Sequence, residues 1–209
     1  MSNCGINDEG LKNCINLQIL IAIGNCRITS CSPFSNSLIE LDASKNAEYI
    51  CGICDEGLKN CCKIKKLRLL GNLNITTCDP FSDTLEELDA GFCGISDQGL
   101  TKCINLRKLN ASLNKNITTC LPFCNSLEEL IAWHYSGIDD NGLKNCTKLK
   151  KLCASSNQKI SICEPFMNSI IHLDISGSCG IGDEELKKCW RLKTLISYGN
   201  PKITIKIEN

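Results

Sequence analysis

Residues 95–114, ISDQGLTKCINLRKLNASLN, decide the fold. The second half sets Leu106, Leu109 and Ala111 at the spacing L-x-x-L-x-A and closes on Asn114; the first half sets Leu100 and Cys103 three residues apart behind Asp97. Alternating apolar positions read as a short strand, and a three-residue apolar spacing behind an Asp cap reads as one turn of helix whose Leu and Cys point inward. A strand and a return turn in about 20 residues cannot bury both faces of their leucines. Stacked copies are required.

The copies are present. A Gly-Ile pair, usually preceded by Cys, recurs at Gly5, Gly52, Gly94, Gly137 and Gly180, in steps of 47, 42, 43 and 43 residues. Within each period the strand signal occurs twice, as in Leu17-Leu20-Ala22 followed by Leu38-Leu41-Ala43, and it continues through Ile64-Leu67-Leu69 to Leu192-Leu195-Ser197. Nine units of about 21 residues result, in two alternating flavours that pair into a repeat of about 43 residues. One flavour ends its strand on Asn25, Asn72, Asn114, Asn157 and Asn200, the other on Asn46, Cys93 and Cys179. The sixth unit has no Asn or Cys in register between Ala132 and Ile138. Cys-x-Pro-Phe follows the first flavour at Phe34, Phe81, Phe123 and Phe166, where proline favours a tight turn or a single helical turn.

This pattern resembles the leucine-rich-repeat consensus LxxLxLxxN/CxL over essentially the whole chain, and I-x-D-x-G-L-x-x-C-x-x-L resembles the cysteine-containing repeats of F-box-type ubiquitin-ligase adaptors. The resemblance implies an α/β leucine-rich-repeat solenoid, a curved, horseshoe-like stack with a parallel sheet on its concave face and short helices or 3-10 turns on its convex face. It also implies protein-protein interaction of an adaptor-like kind. A single domain spanning 1–209, with no clear capping repeats, is the expected organisation.

Composition narrows the function classes. Lys plus Arg and Asp plus Glu number 23 each, so no net field attracts nucleic acid or an anionic membrane. No apolar run approaches the roughly 20 residues of a membrane helix, and the N-terminus lacks signal-peptide character. A cytoplasmic location with reduced thiols is expected. Thirteen of the 18 cysteines fall into three columns, namely Cys4, Cys51, Cys93 and Cys179; Cys14, Cys61, Cys103, Cys146 and Cys189; and Cys31, Cys78, Cys120 and Cys163. A position that recurs once per repeat does one structural job several times, here that of a small buried hydrophobe. No pair of C-x-x-C motifs at finger spacing occurs, so neither metal nor cofactor is expected. Richness in Asn, Ile and Lys points to an AT-rich genome, such as that of a protist or a large virus.

Strand side chains alternate faces, so the third place of each strand motif leaves the core. That column reads Ile19, Glu40, Lys66, Glu87, Lys108, Glu129, Lys151, His172, Thr194, with signs alternating over its middle. In a parallel in-register stack each cation then lies between anions. The pattern breaks at the strand ends, where Phe92, Leu113, Trp133 and His134 come from three successive strands and Tyr135 follows. Exposed aromatic residues mark binding surfaces. These five residues are the expected partner-binding patch, while Ile21, Ile23, Ile196 and Tyr198 are candidates for end docking. The competing class is a self-associating array joined through uncapped ends. An enzyme built on Cys153, His172 and Asp174 is a distant third, because His172 would stand diagonal to the thiol at about 7 to 8 Å, too far for a hydrogen bond. No catalytic residues are assigned.

Overall fold

The computed structural model describes residues 5–204. The chain folds as a leucine-rich-repeat solenoid, and its strand order follows the chain order from β1 to β9. It divides into two compact units, residues 1–106 and 107–209.

In the first unit the strands are β1 (Ile19–Ile21), β2 (Glu40–Asp42), β3 (Lys66–Arg68) and β4 (Glu87–Asp89), with helical turns α1 (Asp8–Leu11), α2 (Asp55–Leu58) and α3 (Asp97–Leu100) on the returns. The strands pair in parallel without offset, so Leu20, Leu41, Leu67 and Leu88 form one row. The second unit repeats the plan with β5 (Lys108–Asn110), β6 (Glu129–Ile131), β7 (Lys151–Cys153), β8 (His172–Asp174), β9 (Thr194–Ile196), α4 (Asp140–Leu143) and α5 (Asp183–Leu186). Its row is Leu109, Leu130, Leu152, Leu173 and Leu195. Short 3-10 turns fall at Ser32–Phe34, Asp79–Phe81, Leu121–Phe123 and Glu164–Phe166, each with its proline in the first turn. There the missing N–H leaves no intrahelical bond unmade.

The cross-section is thin, and most columns are dominated by one residue type. Phe34, Phe81, Phe123 and Phe166 are fully buried. The cysteine columns are buried wherever described from Cys31 onward, and Cys14 is half-buried; Cys4 lies outside the described residues. Thiols of adjacent columns meet in pairs: Cys31 with Cys61, Cys78 with Cys103, Cys120 with Cys146, and Cys163 with Cys189. The hydrogen bond to Cys61, together with burial, pushes the Cys31 thiol well up, and Cys163 beside Cys189 behaves alike. Cys31 and Cys163 are thus held as protonated packing groups, while the same hydrogen bonds lower their partners Cys61 and Cys189.

Backbone polarity is closed by an asparagine ladder. Asn157 Nδ2 donates to the carbonyls of Ala132 (2.9 Å) and Ile138 (3.1 Å), while its Oδ1 accepts from Lys159 N–H (3.1 Å). Asn72 and Asn200 repeat this arrangement. In the sixth unit, which has no Asn or Cys in register, Ser136 takes the place. It is buried, and its hydroxyl oxygen accepts from Ile138 N–H at 3.4 Å, as the Cys93 sulfur does from Ile95 N–H. In the second unit of the repeat, Cys51 is buried in this register, whereas Asn46 closes a local turn by accepting from Glu48 N–H and Tyr49 N–H.

The aspartates that head the helical turns act differently from the expected caps. Side-chain N-caps come from the preceding residue where one is present, as with Asn7 to Gly10 N–H (3.0 Å) and Asp139 to Gly142 N–H (2.9 Å). The aspartates reach into the next repeat instead. Asp55 accepts from Thr76 N–H (2.9 Å) and its hydroxyl (2.6 Å), and Asp140 does the same with Ser161 at 2.7 and 2.6 Å. Asp8 and Asp183 repeat this with Thr29 and Thr204. Burial raises the Asp8 carboxyl, but the hydrogen bonds from Thr29 and Ser30 outweigh it and hold the group below its ordinary range. Glycine in D-x-G-L serves close approach: a Cβ at Gly99 would lie 2.2 Å from the Thr76 carbonyl oxygen. In α5, Glu185 stands at this position. Its carboxylate accepts Cys163 N–H at 2.9 Å, the role that the Gly142 carbonyl plays for Cys120 N–H.

Candidate functional site

The exposed sheet face shows the expected charge ladder. In the first unit Lys66 reaches Glu40 at 3.3 Å and Lys65 reaches Glu86 at 3.0 Å. In the second, Glu128 lies between Arg107 (2.8 Å) and Lys150 (2.9 Å), and Glu129 between Lys108 (3.9 Å) and Lys151 (3.4 Å). The two cations on Glu128 hold its carboxyl below the ordinary value. Exposed pairs contribute roughly 0.2 to 1 kcal/mol each, so the ladder neutralises the face more than it stabilises the fold.

The strand ends are where the repeat becomes irregular. Three residues past every strand but β2 the chain turns through a left-handed residue. Gly24 and Gly71 take this place in the first unit and Gly177 and Gly199 in the second, where glycine adopts positive φ without strain. The same turn holds Phe92 (φ 46°) in the first unit, and Leu113 (φ 57°), His134 (φ 53°) and Ser156 (φ 55°) in the second. Left-handed backbone costs a residue bearing a Cβ roughly 1 to 2 kcal/mol, most for bulky side chains.

Within the second unit, continuing the β5–β6 register from Asn110 opposite Ile131 places Leu113 beside His134. The Trp133 and His134 rings touch, with centroids 4.8 Å apart and planes tilted by 49°. Ile131 at the end of β6 and Trp133 two residues on are both about 40% exposed, and Tyr135 is 80% exposed. Leu113, Ile131 and Trp133 therefore offer a compact apolar surface. Phe92 belongs to the first unit, where the Lys45 ammonium lies 5.2 Å from its ring centre. It is the one phenylalanine of five left outside the core.

Farther along the second unit, a depression of about 380 Å³ runs from Ile131 to Ile196 across Cys153, His172 and Asp174. The sequence groups Cys153, His172 and Asp174 but does not show that they line a hollow with Ile131 and Ile196. Cys153 pairs with Asp174 and Lys151 with His172 across β7 and β8. The Cys153 thiol donates to Asp174 Oδ2 at 3.5 Å, and its pKa is pushed up to about 11 by burial and by that carboxylate. It is a thiol rather than a thiolate at neutral pH. Asp174 Oδ1 is meanwhile engaged by Ser176 N–H and hydroxyl at 3.0 and 2.7 Å. Among the described residues no cluster of three or more His, Cys, Asp or Glu side chains could hold a metal ion, and no helix is long and apolar enough to cross a membrane.

The end-docking candidates are all exposed, Ile21 and Ile23 at β1, Ile196 and Tyr198 at β9. Beside β1, Leu11, Cys14 and Leu17 are only half-buried, whereas Leu58, Cys61 and Ile64, one repeat on, are fully buried. Residues 205–209 lie outside the described residues.

No protein-family model matches the chain, and no curated protein matches it. Among solved structures the chain is similar to an internalin from Listeria monocytogenes, a leucine-rich-repeat protein, with 23% sequence identity and a TM-score of 0.60 over 95% of this chain and 66% of the internalin. The chain thus spans slightly less than two thirds of that protein's length. At this identity the likeness shows the fold alone, a leucine-rich-repeat array.

Proposed function

We propose that the protein is a non-catalytic interaction scaffold that acts as one solenoid domain in the cytoplasm, with its thiols reduced, and captures a protein partner on the strand ends of its second unit. Leu113, Trp133, His134 and Tyr135 form the contact surface, and Phe92 of the first unit is a separate candidate contact. The observation that carries this reading is the left-handed turn. Four repeats fill it with glycine, and folding alone gives no reason for Leu113 or His134 to replace it with a strained, exposed side chain. Strain retained at a surface suggests a task performed there. Such a surface fits an adaptor-like recruiting role.

The test is capture from the native host, read by mass spectrometry, followed by binding of the recovered protein to the Trp133→Ala variant. Trp133 is 39% exposed, so truncation leaves the core intact. Binding weakened tenfold or more with an unchanged unfolding midpoint supports the site. Unchanged binding removes it.

A further inference from the structure

We propose that the strand-start rim of the second unit, on the opposite edge of the sheet from the aromatic strand ends, binds an acidic segment of a protein partner, with carboxylate or phosphate as the recognised group. This rests on the scaffold reading and extends it to a second contact of defined chemistry.

Charge alternation along the rim stops at β7. Alternation calls for anions on β8 after Lys150 and Lys151 of β7, yet the chain supplies Ile171 and His172, then Lys193 and Thr194. Upstream, Glu128 and Glu129 already serve four cations between them. Lys148, Arg191 and Lys193 add three exposed cations, with no carboxylate at ion-pair distance among the described residues. A chain whose charges cancel overall thus concentrates positive charge on one rim of one unit.

That rim is also shaped. A groove of about 250 Å³ is lined by Lys148, Lys150 and Arg191, with Thr147 and Asn168 as hydrogen-bonding groups and Ile171 as an apolar wall. Glu128, its one lining carboxylate among the described residues, is held by Arg107 and Lys150. The Arg191 guanidinium lies over the Trp190 ring at 5.4 Å, and Trp190 is itself tied through Nε1 to Asn168 Oδ1 at 3.1 Å. This lowers the entropy lost when Arg191 meets an anion. Trp190 is 71% exposed and offers apolar contact beside the charges. Flexible acidic peptide fits a groove this short, in which cations flank an apolar wall.

The experiment is fluorescence anisotropy of the full chain with a labelled glutamate-rich peptide, the same peptide with phosphoserines in place of glutamates, a lysine-rich control and oligothymidylate. Both anionic peptides should bind, weakening as salt rises, and the Lys148→Ala/Arg191→Ala double variant should lose about tenfold in affinity. A preference between the two anionic peptides identifies the group recognised. The proposal is overturned if neither binds, if the double variant binds as well as the parent, or if oligothymidylate binds more tightly than both. Trp133→Ala should leave peptide affinity unchanged, so failure at the rim and failure of the strand-end site remain distinguishable.

Discussion

Two columns of residues, a few positions apart at the strand ends, follow opposite rules. The buried column is nearly uniform, Asn72, Asn157 and Asn200 in one flavour of repeat and Cys51, Cys93, Ser136 and Cys179 in the other, because every repeat presents the same backbone groups to be satisfied. The left-handed column varies from glycine to leucine, histidine and phenylalanine, and its larger members are exposed. Uniformity identifies what the stack requires. Variation against the conformational preference of the backbone identifies what the stack does not need, and so where selection for binding can act.

Substitution in the buried column has the largest expected effect. Asn157→Ala leaves two carbonyls and one N–H without their partner in a dry interior, and should destabilise by about 3 kcal/mol, read as a shift in urea midpoint. Ser136→Ala, which removes one long hydrogen bond, should cost about 1 kcal/mol. In the left-handed column the expected signs are reversed between neighbours. Gly177→Ala places a Cβ 2.4 Å from the Ser156 hydroxyl at φ +62° and should destabilise by about 1 to 2 kcal/mol, whereas Leu113→Gly should be neutral or stabilise by up to about 1 kcal/mol.

Titration gives the smaller effects. Asp8, Glu128 and Glu185 all have carboxyl pKa values lowered in the fold, so their contribution is present above their ordinary values of 3.8 to 4.5 and is lost as pH falls through the folded ones. Thermal melts should show a progressive fall in midpoint below about pH 4.5, reduced in Asp8→Asn. Cys153 works in the opposite direction. The unfolded thiol ionises from about 9 while the folded one holds its proton to about 11, so stability should decline across that alkaline window and less so in Cys153→Ser. Slow alkylation of Cys153 at neutral pH checks its protonation, and rapid alkylation there would reopen the nucleophile.

Much of the fold was legible in the sequence because a thin solenoid writes one structural job into one column. Leu109 and Leu130 face each other in the register their spacing implies, and Cys61 and Cys103 are buried as their periodicity implies. Contacts about 21 residues apart were not legible. Asp55 reads as a helix cap because local spacing shows its own helix and conceals Thr76. Ser136 escaped notice because its hydroxyl replaces a sulfur or an amide of another residue type. Of the site, Leu113 and His134 announce themselves by size, but the strain that distinguishes them is a backbone property visible only against Gly71 and Gly177 in the same turn. The rim groove was hidden for a related reason, since zero net charge conceals a local excess.

The proposed binding role requires that Leu113 and His134 be kept at the expense of local conformational energy. The direct measurement is a paired one on the Leu113→Gly/His134→Gly double variant, recording urea stability and affinity for the captured partner on the same preparation. Stability equal to or above that of the parent with affinity reduced tenfold or more is the expected result; unchanged affinity, or a stability loss of more than about 1 kcal/mol, would contradict it.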